Sequence, residues 1–263
     1  MKTATYTSTL NSGLGMIDET KVLINLWQPG MGSTELQSAA LSSGYFPNIS
    51  ARRLRNLVGE YFVPCCLNDN GKTVILLQNL QNTLSKREFE QLLFIFTCRI
   101  HTVLADFIRE IYWPSYAAGS DTISNEEAYW FVIRAIEDGK TTTKWSENTA
   151  RRVARYLTGY CADFGLLEKG QTSTKRIVPY RIEQRVAAIL VYDLRFAGHG
   201  DNGIVSHSDW ALFGLEPPDV IDELKRLALK DWLIVQAAGN VIRIGWKHDS
   251  MEDVIDALTQ GEL

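Results

Sequence analysis

The chain has 263 residues, 45% hydrophobic and 22% charged, and its 27 Lys/Arg against 31 Asp/Glu leave it net negative. Length and composition suit a folded protein with a real core, in one large domain or two to three small ones. The acidic balance is not that of a dedicated nucleic-acid coat protein, so any nucleic-acid contact must be local or helped by a partner. The longest apolar runs, Val74–Leu77, Leu92–Thr97 and Val186–Tyr192, are far too short to span a bilayer. The opening MKTATYTSTLNSGLG lacks an apolar core of the secretory kind, which predicts no signal peptide. Cys65, Cys66, Cys98 and Cys161 lack metal-ligand spacing and include a vicinal pair. They predict neither a zinc site nor a disulfide framework, and a reducing cytoplasm as the setting.

From the N-terminus, Ile17, Val22, Leu23 and Leu26 form a helical stripe over Met16–Leu26, broken at Gln28-Pro-Gly. Ser33 or Thr34 is placed to cap a second helix. Ser50 is placed to cap a third over residues 51–62, whose apolar face is Leu54, Leu57, Val58 and Phe62. Arg52, Arg53 and Arg55 fall on its first turns, where the helix dipole disfavours cations. Asn-Asp-Asn-Gly at 68–71 precedes a helix over Val74–Gln81. The longest helical pattern runs from Lys86, after the Ser85 cap, to about Tyr112, with Pro114 as its stop, and its apolar breadth suits the centre of a bundle. Ser124 and Glu127 form a capping box for a helix reaching Gly139.

The segment from Lys140 to Arg185 stands apart, with ten Lys/Arg against four acidic residues. Ser146 caps a helix over 147–164 that carries Arg151, Arg152 and Arg155 outside a buried stripe of Thr149, Val153, Tyr156, Leu157 and Tyr160. Leu166–Gly170 and Ile177–Pro179 read as two short strands around a polar loop with Lys169, Lys175 and Arg176. Helix, helix, hairpin is the order of a winged helix, with 147–164 in the recognition position. Cations gathered on one helix and one hairpin are the footprint of a phosphate-backbone reader, and the competing account is a solvated face paired with local carboxylates. The last third repeats the outline. A short helix at Ser208–Phe213 precedes one over Asp219–Leu229, then a hairpin of Trp232–Ala237 and Val241–Trp246 turning at Gly239-Asn240, and a terminal helix over Met251–Leu258. Its mixed charges suit protein contact at least as well as DNA contact.

Catalytic patterns are weak. Gly198-His-Gly-Asp-Asn-Gly203 matches GxGxxG, but with the next helix expected at Ser208 it reads as a loop between domains. Gly30-Met-Gly-Ser-Thr34 lacks the Lys of a phosphate loop. His199 and His207, with Asp201 and Asp209, are candidates for metal or acid–base work without a fixed geometry. Asp106 and Glu110 are more simply partners of Arg99 or Arg109. Tyr112-Trp113 with Tyr116, and Tyr129-Trp130-Phe131, are candidate base-stacking groups whose helical spacing favours core positions. No catalytic, cofactor or metal constellation rises above background, so the expectation is a non-enzyme.

YTSTLNSGLGMIDETKVLINLW, SARRLRNLV, LSKREFEQLLFIFTCRIHTVLADFIREIYW and SENTARRVARYLTGYCADFGLLEKG, in this order, resemble the BrxA family of bacteriophage-exclusion (BREX) defence systems, over about residues 5–200. The resemblance implies a mostly helical cytoplasmic protein that binds double-stranded DNA beside a methyltransferase, an ATPase and other defence components, with no known catalysis. By matching position, Arg52, Arg53 and Arg55, and Arg151, Arg152 and Arg155, become DNA-facing candidates, joined from the charge pattern by Lys144, Lys169, Lys175 and Arg176. The expected architecture is mainly α, a helical bundle with helix-turn-helix and winged-helix elements and short hairpin wings. Its expected divisions are 1–115 (with the basic helix 51–62), 120–200, and a 201–263 extension. The alternative function is a protein-interaction scaffold that docks on a larger defence subunit, and a third is an enzyme using the 198–209 loop.

Overall fold

The computed structural model describes residues 5–238 and 241–261, so the Gly239-Asn240 turn lies outside the described residues. The protein is mainly helical, with two small antiparallel two-stranded sheets. Its contacts divide it into two compact units, and neither is one continuous stretch: residues 1–78 with 96–180, and residues 79–95 with 181–263. No single helix among the described residues is long and apolar enough to cross a membrane.

The first unit begins with α1 (Ile17–Leu26), α2 (Ser33–Ser42) and α3 (Ala51–Asn56). At α2 the cap is Gly32 rather than Ser33 or Thr34, its N–H donating to the Glu35 carboxylate. Ser50 caps α3 as its chemistry predicts, accepting from Arg53 N–H at 3.2 Å. The chain then widens into π-helical turns over Leu57–Leu67, which accommodate Pro64 inside the helix. After α4 (Lys72–Leu80) comes α5 (Lys86–Ile100), whose two halves belong to different units.

The single long helix expected over 86–112 is broken. At His101 the backbone leaves helical geometry, and α6 (Thr102–Phe107) departs from α5 at 110°. The pattern hides this because most residues from 91 to 108 are buried, which leaves no polar face near the turn to mark a change of direction. Pro114 does not stop the helix either. It sits in the first turn of α7 (Trp113–Ala117), where a missing N–H costs nothing.

Next comes β1 (Thr122–Ser124), a strand that periodicity does not reveal, leading directly into α8 (Asn125–Glu137). Ser124 serves as both the last strand residue and the helix cap, in a capping box with Glu127. α9 (Glu147–Asp163) packs against α8 and is capped by Ser146. The expected two-strand wing takes another form. Leu167 and Ile177 make one antiparallel bridge, while β2 (Thr174–Arg176) pairs with β1, Ile123 opposite Lys175. The order along the chain is therefore strand, helix, helix, strand, with the two strands paired.

In the second unit, α10 (Gln184–Phe196) buries residues on every side, from Val186 to Leu194. α11 (Asp201–Val205) forms inside the Gly198–Gly203 motif, so that segment is a helical turn and not the expected open loop. A helix and not a strand precedes it, which removes the dinucleotide geometry. A 3-10 turn at Trp210–Phe213 and α12 (Pro217–Leu229) follow, then β3 (Leu233–Ala238) and β4 (Val241–Trp246), then α13 (Met251–Gln260). Tyr192 of α10 pins the hairpin, its hydroxyl donating to the Trp232 carbonyl and accepting from Lys247 N–H.

Two features of the first unit yield tests. A Cβ at Gly13 would overlap the Tyr61 ring, so Gly13→Ala forces the ring or the segment to move. Chemical denaturation is expected to show a loss of about 1–3 kcal/mol. His101 lies buried against the Tyr61 and Tyr160 rings with neither ring nitrogen hydrogen-bonded, and burial pushes its pKa down to about 4. The unfolded chain binds that proton near pH 6.5 and the folded chain does not, so stability is complete above that value and falls as pH drops toward 4. The loss reaches about 3 kcal/mol. Urea midpoints across this range should fall less for His101→Gln than for the natural chain.

Candidate nucleic-acid interface

α9 is amphipathic. Ala150, Val153, Ala154, Leu157, Thr158 and Cys161 face inward, which leaves Arg151, Arg152 and Arg155 exposed. The three arginines are not equivalent. Arg151 is held by Glu147 one turn back, with Nε at 3.0 Å and a terminal nitrogen at 2.9 Å from one carboxylate oxygen. Its guanidinium also lies 4.5 Å over the Tyr129 ring of α8, and the Glu147 hydrogen bond holds its pKa above the ordinary value. Arg152 and Arg155 are exposed, with no ion pair or side-chain hydrogen bond among the described residues.

The loop cations sort in the same way. Lys144, just before α9, and Lys169 are exposed and unpaired among the described residues. Arg176 is exposed, with Glu168 at 4.0 Å. Lys175 is buried, and its ammonium donates to the Gly170 carbonyl. Strand alternation explains this: in β2, Thr174 and Arg176 point outward and Lys175 inward. Lys175 therefore ties the loop together and does not face solvent.

Arg52, Arg53 and Arg55 are all exposed on α3, and Arg53 donates to the Leu14 carbonyl at 3.0 Å. That carbonyl belongs to a segment gripped from several directions. Ser12 donates to the Glu60 carboxylate, Gly15 N–H reaches Asp163 at the end of α9 at 2.6 Å, and Leu14 packs on Gly159. Gly15 is at φ +69°, a left-handed conformation that glycine takes without strain. Residues 12–15 thus join the basic start of α3 to the far end of α9.

Sequence reasoning missed Arg134, which is exposed on α8 and unpaired among the described residues. The signal available was its i+4 spacing from Trp130. Of the aromatic candidates, Tyr112 and Phe131 are core, whereas Tyr116 and Trp130 are exposed.

The candidate catalytic groups are held in structural pairings. Asp106 accepts from Tyr6 Oη at 2.6 Å and pairs with Arg109, and Glu110 pairs with Lys140. His199 and His207 stack edge to face at 4.8 Å, with His207 3.5 Å from the buried Asp209 carboxylate, and Asp201 accepts from Ile244 N–H. Among the described residues no group of three or more His, Cys, Asp or Glu is arranged to hold a metal ion. All four cysteines are buried, and none forms a disulfide among the described residues.

Charge divides between the units. The first has seventeen Lys/Arg against fifteen Asp/Glu, and the second ten against sixteen.

The model of the BrxA family matches residues 4–192, nearly three quarters of the chain. The chain belongs to the BrxA family. Every candidate cation lies inside that match, and α12, the β3–β4 hairpin and α13 lie beyond it. Among solved structures, the BrxA chain is similar to the crystal structure of an uncharacterized protein from Magnetospirillum magneticum. The TM-score is 0.59 at 13% identity, covering 79% of this chain and 97% of that one, a likeness of fold. No curated protein matches the chain.

Replacing Lys175 with Met is expected to lower unfolding stability by about 1 kcal/mol through the lost hydrogen bond. Thermal and urea melts should register that change, and the exposed Lys169→Met should move neither.

Proposed function

We propose that this BrxA protein is a non-enzymatic, cytoplasmic, double-stranded DNA-binding accessory component of a BREX phage-defence system, acting mainly through phosphate contacts. The observation that carries the reading is α9, an amphipathic helix that keeps two adjacent-turn arginines, Arg152 and Arg155, exposed and without side-chain partners among the described residues, in an acidic protein. A surface arginine with carboxylates available elsewhere gains from a phosphate what it lacks at home.

The elements around α9 support a helix-turn-helix with a wing. β1, α8, α9, the Leu167–Ile177 bridge and β2 follow one another in winged-helix order, and β1 pairs with the last strand. In that arrangement α9 takes the recognition position and the Lys169 loop the wing. Arg152, Arg155, Lys144, Lys169 and Arg176 then make the phosphate contacts, with Arg52 and Arg55 of α3 as a second row. Arg151 and Arg53, already bonded within the protein, orient their surroundings.

A second reading belongs to the C-terminal part. On α12, Lys225 pairs with Asp222 and Arg226 with Glu223, so the helix neutralises its own cations. Leu229 and Ile234 stand exposed nearby in sequence. This favours contact with another protein of the defence system, such as the methyltransferase or the ATPase, over contact with DNA.

Titration with a random duplex at several salt concentrations tests the first reading. Arg152→Ala with Arg155→Ala should weaken binding alike on unrelated sequences and flatten the log–log salt slope by up to about 0.9 per lost contact. Arg151→Ala alone should change the slope less than either. Unchanged affinity in the double variant would sink the assignment.

A further inference from the structure

Trp130 projects from α8 with 56% of its surface exposed, although its neighbour Phe131 is buried in the core. An exposed tryptophan is costly to leave in water, and its surroundings indicate what covers it. Its ring meets Tyr129 edge to face at 5.4 Å, and Tyr129 in turn lies under the Arg151 guanidinium. Arg155 follows one turn along α9 from Arg151, and the unpaired Arg134 follows one turn along α8 from Trp130. Glu126, one turn before Trp130, is the acidic neighbour on its stripe, and Arg151 feels its charge. The result is a π-face with guanidinium groups on both helices, which suits a ligand that is both flat and anionic.

Resting on the DNA-binding reading above, we propose that Trp130 is a stacking platform for an unpaired base. On this proposal the protein prefers DNA in which a nucleotide has left the duplex stack over fully paired DNA. Fully paired DNA presents its base faces only at its ends, so Trp130 adds little there. A bulge or gap frees a face that can lie on the indole while the neighbouring phosphates meet Arg134 and Arg155. Stacking on an aromatic side chain tolerates any base, so the preference is for structure and not for sequence. Tyr129, held by Arg151, supports the indole from its edge.

The test is a titration of the whole chain with two labelled duplexes of about 30 base pairs, one fully paired and one with about three unpaired thymines in one strand. The natural chain should bind the bulged duplex at least about fivefold more tightly. Trp130→Leu keeps an apolar side chain without a π-face, and should bring the ratio near one while leaving affinity for the paired duplex within about twofold. Trp130→Tyr should keep most of the preference. A ratio of one in the natural chain, or a preference that survives Trp130→Leu, overturns the stacking role while DNA binding stands. Absence of binding to either duplex overturns the DNA-binding reading and the platform with it.

Discussion

Residues 12–15 are four small or apolar positions, yet the first unit is organised around them. Glu60 holds Ser12, Tyr61 lies against Gly13, Arg53 and Gly159 take opposite sides of Leu14, and Asp163 closes on Gly15. These partners come from the α3 region and from α9, about 100 residues apart in the chain. Neither helix could be set against the other by local propensity, because the contacts are made through a third segment with almost no side chain at its tightest points. Glycine at 13 and 159 is what permits the close approach. One consequence is functional: the arginines of α3 and those of α9 are carried on a single packed body, and their spacing is a property of that clamp.

Much of the helical framework was legible because its signals are local. A serine cap needs only four positions, and Ser50, Ser124 and Ser146 all cap where the chemistry predicts. The turn at His101 was illegible for the opposite reason. Helical periodicity detects a boundary between apolar and polar faces, and a segment buried all round has none. β1 escaped because three residues are too few to show alternation, and its partner lies about fifty residues away. Lys175 shows what charge counting leaves out. Among the cations of its loop it is the one turned inward, and alternation along Thr174-Lys175-Arg176 would have revealed this had the segment been read as a strand.

The same distinction governs how the candidate site is read. Sequence locates cations, whereas geometry decides which of them remain available to a partner. The sequence puts Arg151, Arg152 and Arg155 on an equal footing, but Glu147 and Tyr129 already hold Arg151, and the available charge lies on Arg152 and Arg155. A residue held in this way still has a use. Because the Glu147 pair is solvent-exposed, it adds little to stability. Its effect is to fix a side chain and, through Tyr129, the face of α8 that displays Trp130.

Set beside α9, α12 shows how two helices of similar outline come to differ in the charge they leave unpaired. Both carry cations on exposed turns. On α12 the carboxylates stand three residues before the cations, within reach, so each positive charge is met on its own helix. On α9, Glu147 can reach only Arg151, and the inward face holds no carboxylate that Arg152 or Arg155 could use. Placement of two or three acidic residues, more than the number of basic ones, therefore separates a helix whose cations are met on its own surface from one that leaves two exposed without an ion pair among the described residues. The family match follows this line, taking in α9 and ending before α12.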